Sequence, residues 1–506
     1  MIDNISHNFL TTNHTNLSDH LQWSNVHEHE GKKESDESGV SFVREVRGLL
    51  YSFLLIVLLF GPLQAQEEAA QEEAVPEVSA SRRLEEQRRE TLRFGTETEI
   101  ASLIQTLKTE KVDYLDNELI EIAQKTRNRN ILSGIFSFFA EIEKTGLEDR
   151  AIRALRERDQ EANDTVLAAV DYLGKVKSSE AVDHLEELVN SGENRFLNSA
   201  LRALGRASSS GEGDRITEFL LDYYKNRTPV DENKREIIIA IGETGSKEGI
   251  PFLSDLIKNA DERAVLRIVA LDAIAKIGDE DGLDAVIEAV SSNDPNVRSS
   301  AIAALAPFSG EAVDNAILEA FRDSFWRTRI GAAQAAGKRR LETAIPYLRY
   351  RAENDDTPNV KDEAIKALGA INNDETNEIL DSLFAERKNS DRVRIITAEM
   401  LLQNDADTYS RRVFIEMEDA KSKNQTALYN GFIRVMGTAK SPALEDIVRH
   451  FISGGGVIEK SLALDLVLNN EFNSLEGEVR SLLDDKIHSA SIARKAQSTL
   501  EKLGLE

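Results

Sequence analysis

Small and apolar residues fall at helical spacing along most of this 506-residue chain, and the helical pattern itself returns at a nearly fixed interval. The clearest copy is residues 294–306, where Ala301, Ala304 and Leu305 stand three, six and seven places after Arg298, on one face of an α-helix. Asp294 suits the N-cap of that helix, and Pro295 suits its first turn, where the missing N–H has no intrahelical partner to lose. Equivalent positions are Val166, Leu197, Lys234, Arg267, Arg298, Arg329, Lys361, Arg394, Tyr429, Lys460 and Ala493, in steps of 31 to 37 residues. Three places on, eight of the eleven occupants are alanine, and seven places on all eleven are apolar. A face made of alanines buries too little surface to be a core by itself, so each such helix must lie close against others.

Between these helices runs a second amphipathic segment, as at residues 181–189, 250–257, 282–290, 344–351 and 443–451. Pro229, Pro251, Pro346, Pro358 and Pro442 lie at or near expected helix starts and Pro307 at a helix end, while Gly174, Gly205, Gly242, Gly278 and Gly369 read as helix exits. The chain therefore reads as all-α, an α-solenoid of about 11–12 stacked antiparallel helix pairs. Residues 160–506 hold the regular units, and residues 96–159 hold weaker, more aromatic ones.

The pattern is absent before residue 96. Residues 1–42 are polar, rich in His and Asn, and read as a disordered or spurious extension. Arg44 and Arg47 then precede the apolar run 49–60, followed by Gly61, Pro62 and Ala65, the order of a secretory signal peptide at 43–65. A membrane span needs about 20 apolar residues, so a retained anchor is the lesser reading. Translation is expected to begin near Val43 or Val46, with cleavage after Ala65. Residues 66–95 read as an acidic low-complexity linker, although the Arg and Glu spacing of 81–93 also admits a leading helix. An exported chain belongs in the periplasm or cell envelope.

Charge narrows the partners. The net charge is −27, and without the eight acids and four bases of residues 1–65 the chain keeps 81 acids against 58 bases, or −23. That balance opposes nonspecific binding to nucleic acid or anionic lipid and points to a protein partner or a neutral ligand. There is no cysteine, and five of the eight histidines precede residue 30. No phosphate loop, nucleophile elbow or zinc motif is present, so neither catalysis nor a cofactor nor a metal is expected.

The segments Val297-Arg298-x-x-Ala301-x-x-Ala304-Leu305 and Val360-Lys361-x-x-Ala364-x-x-Ala367-Leu368-Gly369, with Val393-Arg394 and the exit Ile277-Gly278-Asp279, resemble the second helix of HEAT repeats. The resemblance is to the short bacterial form also seen in phycobiliprotein lyase subunits, and Tyr429 and Phe432 depart from it. It implies a curved superhelix that binds proteins, an exported non-catalytic scaffold or adaptor. Alternatives are a lyase-like or chaperone-like accessory that holds a modified client, and a DNA-binding HEAT-like protein, which the acidity disfavours.

Two sets of residues are candidates for function. Lys234, Arg267, Arg298, Arg329, Lys361 and Arg394 form a ladder along the stack, which the resemblance makes structural through pairing with loop aspartates such as Asp261, Asp294, Asp323, Asp356 and Asp391. The window 325–351 carries seven bases and one acid, Glu342, and the single tryptophan after residue 65. Its Phe325, Trp326, Arg327, Lys338, Arg339, Arg340, Tyr347, Arg349, Tyr350 and Arg351 have the composition of a partner-binding hot spot. The competing reading is that Trp326 plugs the gap beside Gly331 while the bases line a solvated face.

Overall fold

The computed structural model describes residues 77–505 except 209, 210, 228, 485 and 486. The extension, the export segment and the start of the linker lie outside the described residues. The chain divides into two compact units, Met1–Arg83 and Leu84–Glu506, and the second contains the array.

Among the described residues there are helices and no strands. Twelve helix pairs run from Asp116–Lys125 with Arg129–Glu141 to Glu476–Arg480 with Ala490–Leu503. Second helices stack on the second helices before and after them, only loosely between Thr426–Met436 and Val457–Asn470, and each also packs on the first helix of its own pair. This is an α-solenoid with one continuous core rather than a series of separate domains.

The periodic positions explain the stack. Each of the eleven aligned residues, from Val166 to Ala493, is the fourth residue of its helix. All eleven side chains three places on, and all eleven seven places on, are at most 1% exposed. Alanine at the first of these positions lets neighbouring helices approach, and the larger residue at the second fills the space between layers.

Three features differ from the sequence expectation. The array starts earlier, with a helix at Glu77–Phe94 that takes the leading-helix reading of 81–93 over the linker reading. Its Leu92 is buried, and Arg88 donates to Tyr114 Oη at 2.7 Å and Glu110 Oε2 at 2.6 Å. The charged composition of this segment suggested solvation, but Arg88 and Arg89 pair with the array instead. Among the described residues six first helices open with a 3-10 turn, as at Lys247–Gly249 and Glu280–Gly282, where the small residue packs under the second helix before it.

The glycines are the third difference. Gly278 is a left-handed C-cap, φ 70°, but Gly174, Gly205, Gly242 and Gly369 lie inside the last helical turn. A Cβ on Gly174, Gly205 or Gly242 would stand 2.8, 2.8 or 2.7 Å from the Cα of Ala203, Ala240 or Ala273 on the next second helix. These glycines permit backbone contact between repeats, so they determine helix spacing rather than helix ends.

The unit at Thr426–Met436, where the alanine position holds Phe432, is packed differently. Phe432 meets Phe384 edge-on at 5.9 Å, and Arg394 lies over both rings. Tyr429 donates to the buried Glu459 at 2.5 Å, and Lys421 pairs with the same carboxylate. Burial alone would raise the Glu459 pKa, but these donors outweigh it and hold the group at about 2.

Candidate functional site

The ladder bases stand one turn into the second helices, beside the C-terminal ends of the first helices. Orphan carbonyls are available there. Arg267 Nε donates to Ile257 O at 2.9 Å, Arg298 Nη1 to Ser292 O at 2.9 Å and Arg329 Nη1 to Asp323 O at 2.9 Å. Lys361 Nζ donates to Glu353 O at 2.8 Å and Arg394 Nε to Phe384 O at 3.5 Å. Arg267, Lys361 and Arg394 thereby cap the ends of their own first helices and complement the negative end of the helix dipole, while Arg298 and Arg329 hold loop carbonyls three residues past Ala289 and Ala320, where their first helices end. Lys234 instead lies 5.9 Å from the Tyr224 ring centre.

Two rungs are closed by bidentate pairs with the next repeat. Arg298 Nε and Nη2 donate to Asp323 at 2.6 and 2.9 Å, and Arg329 Nε and Nη2 donate to Asp355 at 2.8 and 2.8 Å. The Arg329 and Asp355 side chains are 7% and 0% exposed. Burial pushes the Asp323 and Asp355 carboxyls up, yet both pKa values are lowered because an arginine fork and the N–H of Phe325 or Thr357 bind the charged form.

Arg394 uses Glu416 at 2.7 Å. Of the other aspartates named above, Asp294 caps its own helix through the N–H groups of Asn296 and Val297, and Asp356 reaches Arg329 at 3.3 Å from an exposed position. No ladder pairing joins Asp261 or Asp391 among the described residues. Asp355 was missed, although its register shows it: Asp323 and Asp355 each stand six residues before the next ladder base.

The basic and aromatic window does not form one surface. Lys338, Arg339 and Arg340 end the helix Trp326–Arg339, roughly 18 Å along its axis from Trp326 at 1.5 Å per residue. Arg339 is committed to Asp314 at 2.7 Å and Phe308 O at 2.7 Å. Arg351 donates to Phe321 O at 2.9 Å and to Asp355, Arg349 to Glu353, and Tyr347 stacks on the buried Phe321 at 5.7 Å. Lys338 and Arg340 are exposed, and Arg340 is a left-handed C-cap, φ 51°.

What remains at the other end is Phe325, Trp326 and Arg327, with Tyr350 56% exposed. Phe325 and Trp326 are half-buried with ring centres 6.2 Å apart, and the exposed Arg327 guanidinium lies 5.7 and 5.0 Å from those rings. Ile302, not Trp326, occupies the space beside Gly331, since a Cβ there would meet Ile302 Cγ2 at 3.2 Å. Tyr347 packs against the core, whereas Phe325, Trp326 and Tyr350 are not among the side chains that do so. The cluster is a surface platform able to accept an apolar or acidic group.

Among the described residues no group of His, Asp and Glu side chains is placed to hold a metal ion, and no helix is long and apolar enough to cross a membrane.

A helical array with this repeat register and buried ladder defines a HEAT-repeat protein. The chain belongs to the family of spirochaete HEAT repeat proteins, whose model matches residues 92–499. No curated protein matches it. Similar solved structures include Kap121p (12% identity, TM-score 0.43) and the karyopherin Kap121p bound to the extreme C-terminus of the protein phosphatase Cdc14p (13%, 0.43). These alignments cover 90% and 92% of this chain, which spans 57% of the length of either neighbour.

Proposed function

We propose that this HEAT solenoid is an exported, non-catalytic scaffold or adaptor that binds another protein on the edge carrying Phe325, Trp326 and Arg327. One observation carries the reading: a Phe-Trp-Arg platform, its two rings tilted 51° to one another, stands half-exposed outside the packed core. Tryptophan and arginine are the residue types that dominate binding energy at protein interfaces. Export rests on the basic, apolar and small-residue order of residues 43–65.

Trp326→Ala with Arg327→Glu is expected to abolish partner capture from cell-envelope extract while the melting temperature stays within about 2 °C, since surface changes away from packed features are near neutral. Lys338→Glu with Arg340→Glu, at the far end of the same helix, should leave capture intact. Unchanged capture by the first variant, or loss accompanied by a large fall in melting temperature, refutes the assignment. Edman sequencing of the exported chain tests the leader: a mature start before residue 60 excludes cleavage after Ala65.

A further inference from the structure

We propose that the cavity at Arg267 is a binding site for a carboxylate group that the chain itself does not supply. Arg267 is 8% exposed, and Nε is bound to Ile257 O. Among the described residues no carboxylate pairs with its guanidinium. The side chain lines a cavity of about 430 Å³ between loops 259–263 and 291–294, together with Lys258, Glu262, Glu288, Ser292 and Asn293.

The neighbouring rungs show what this fork accepts. Arg298 and Arg329 each take a carboxylate from the residue six places before the next ladder base, Asp323 or Asp355. For Arg267 that place is Ser292. The backbone turn is the same: Ser292 Oγ accepts the Asp294 N–H at 3.3 Å, as Asp323 Oδ1 accepts Phe325 N–H at 2.7 Å and Asp355 Oδ1 accepts Thr357 N–H at 2.9 Å. Ser292 is too short to reach the fork and carries no charge, so a buried arginine faces a space shaped for its missing partner.

The ligand is a monoanionic carboxylate rather than a phosphate. Glu262, Glu288 and Asp294 share the cavity, and Lys258 is already 3.8 Å from Glu288, so a second negative charge meets repulsion. The carboxylate belongs either to a free small acid or to an acidic side chain of a peptide. The Trp326 platform takes no part in this site.

Isothermal titration of the full chain at fixed ionic strength with acetate, lactate, an Asp-containing peptide blocked at both ends, and inorganic phosphate tests the proposal. At least one carboxylate probe is expected to bind. Binding of acetate or lactate identifies a free acid, and binding of the peptide alone identifies a side chain. Ser292→Asp, which keeps Arg267 and supplies the rung from within, is expected to weaken that binding by about tenfold or more and to raise the melting temperature. Arg267→Gln should weaken it comparably. No carboxylate binding, binding that survives Ser292→Asp, or tighter binding of phosphate than of every carboxylate overturns the proposal.

Discussion

Replacing Asp355 with alanine removes one residue from the most completely buried rung of the ladder. Its carboxylate receives Arg329 Nε and Nη2, Arg351 Nη1 at 3.3 Å and the Thr357 N–H at 2.9 Å. Breaking a buried pair from one side typically costs about 3–5 kcal/mol because the other charge remains buried. Arg329 keeps Nη1 on the carbonyls of Asp323 and Ser324 and a weaker contact with Asp356, so the lower end, about 3 kcal/mol, is expected.

In a solenoid this loss is felt mainly by the neighbouring repeats, so the assay is hydrogen exchange by mass spectrometry, peptide by peptide. Amides in Trp326–Arg339 and Pro358–Ile371 should exchange about 100-fold faster, and those in Asn194–Ala207 should be unchanged. Because the folded-state pKa of Asp355 is lowered, its contribution is complete above the ordinary carboxylate pKa and disappears as pH falls through the folded value. A change below about fivefold, or one spread evenly over the array, refutes a stabilising ladder of local pairs.

Gly242→Ala should destabilise by about 2 kcal/mol in urea unfolding, since the new methyl meets the Ala273 backbone, whereas Gly477→Ala, with open space around its Cβ, should be neutral or slightly stabilising. Equal effects at the two sites would remove the packing role given to Gly242. Glu459→Gln should cost about 3 kcal/mol at neutral pH, and the difference from wild type should shrink as pH falls from 4.5 through about 2, because a lowered carboxyl pKa stabilises only while the group is charged. A difference that is constant from pH 7 to pH 2 contradicts the assigned pairing. Tyr429→Phe should weaken the same site by about 1 kcal/mol in urea unfolding, with its hydrogen bond to Glu459 as the cause.

The repeat was legible because solenoid packing is local: a helix touches its partner and its neighbours, so burial returns at the same place in every period. Ala301 and Leu305 announce in the sequence what they do in the fold, and so do the nine other pairs like them that share the same register among Val166 to Lys460 and the last at Ala496 and Leu500. Alanine content also conveyed that helices lie close together. Side-chain partners across repeats were not legible to the same degree, because carboxylates are abundant on this surface and spacing alone does not select one. Asp356 and Asp355 differ by one position, yet one is exposed and the other fully buried on the guanidinium of Arg329.

Tertiary structure alone decided which of the window's charges act together. Contiguity in sequence placed Trp326 beside Arg339 in one cluster, but a straight helix carries them to opposite ends, and Arg339 is already bound to Asp314. It also decided the role of the glycines, since a residue near a helix end serves either termination or close approach, and only the position of Ala203 or Ala273 on the next helix distinguishes the two. The sequence by itself determined period, class and core positions, which depend on local periodicity. The spacing of helices, the closed rungs and the open rung at Arg267 depend on atoms about 25 residues or more apart in the chain, whose meeting requires the stacked array.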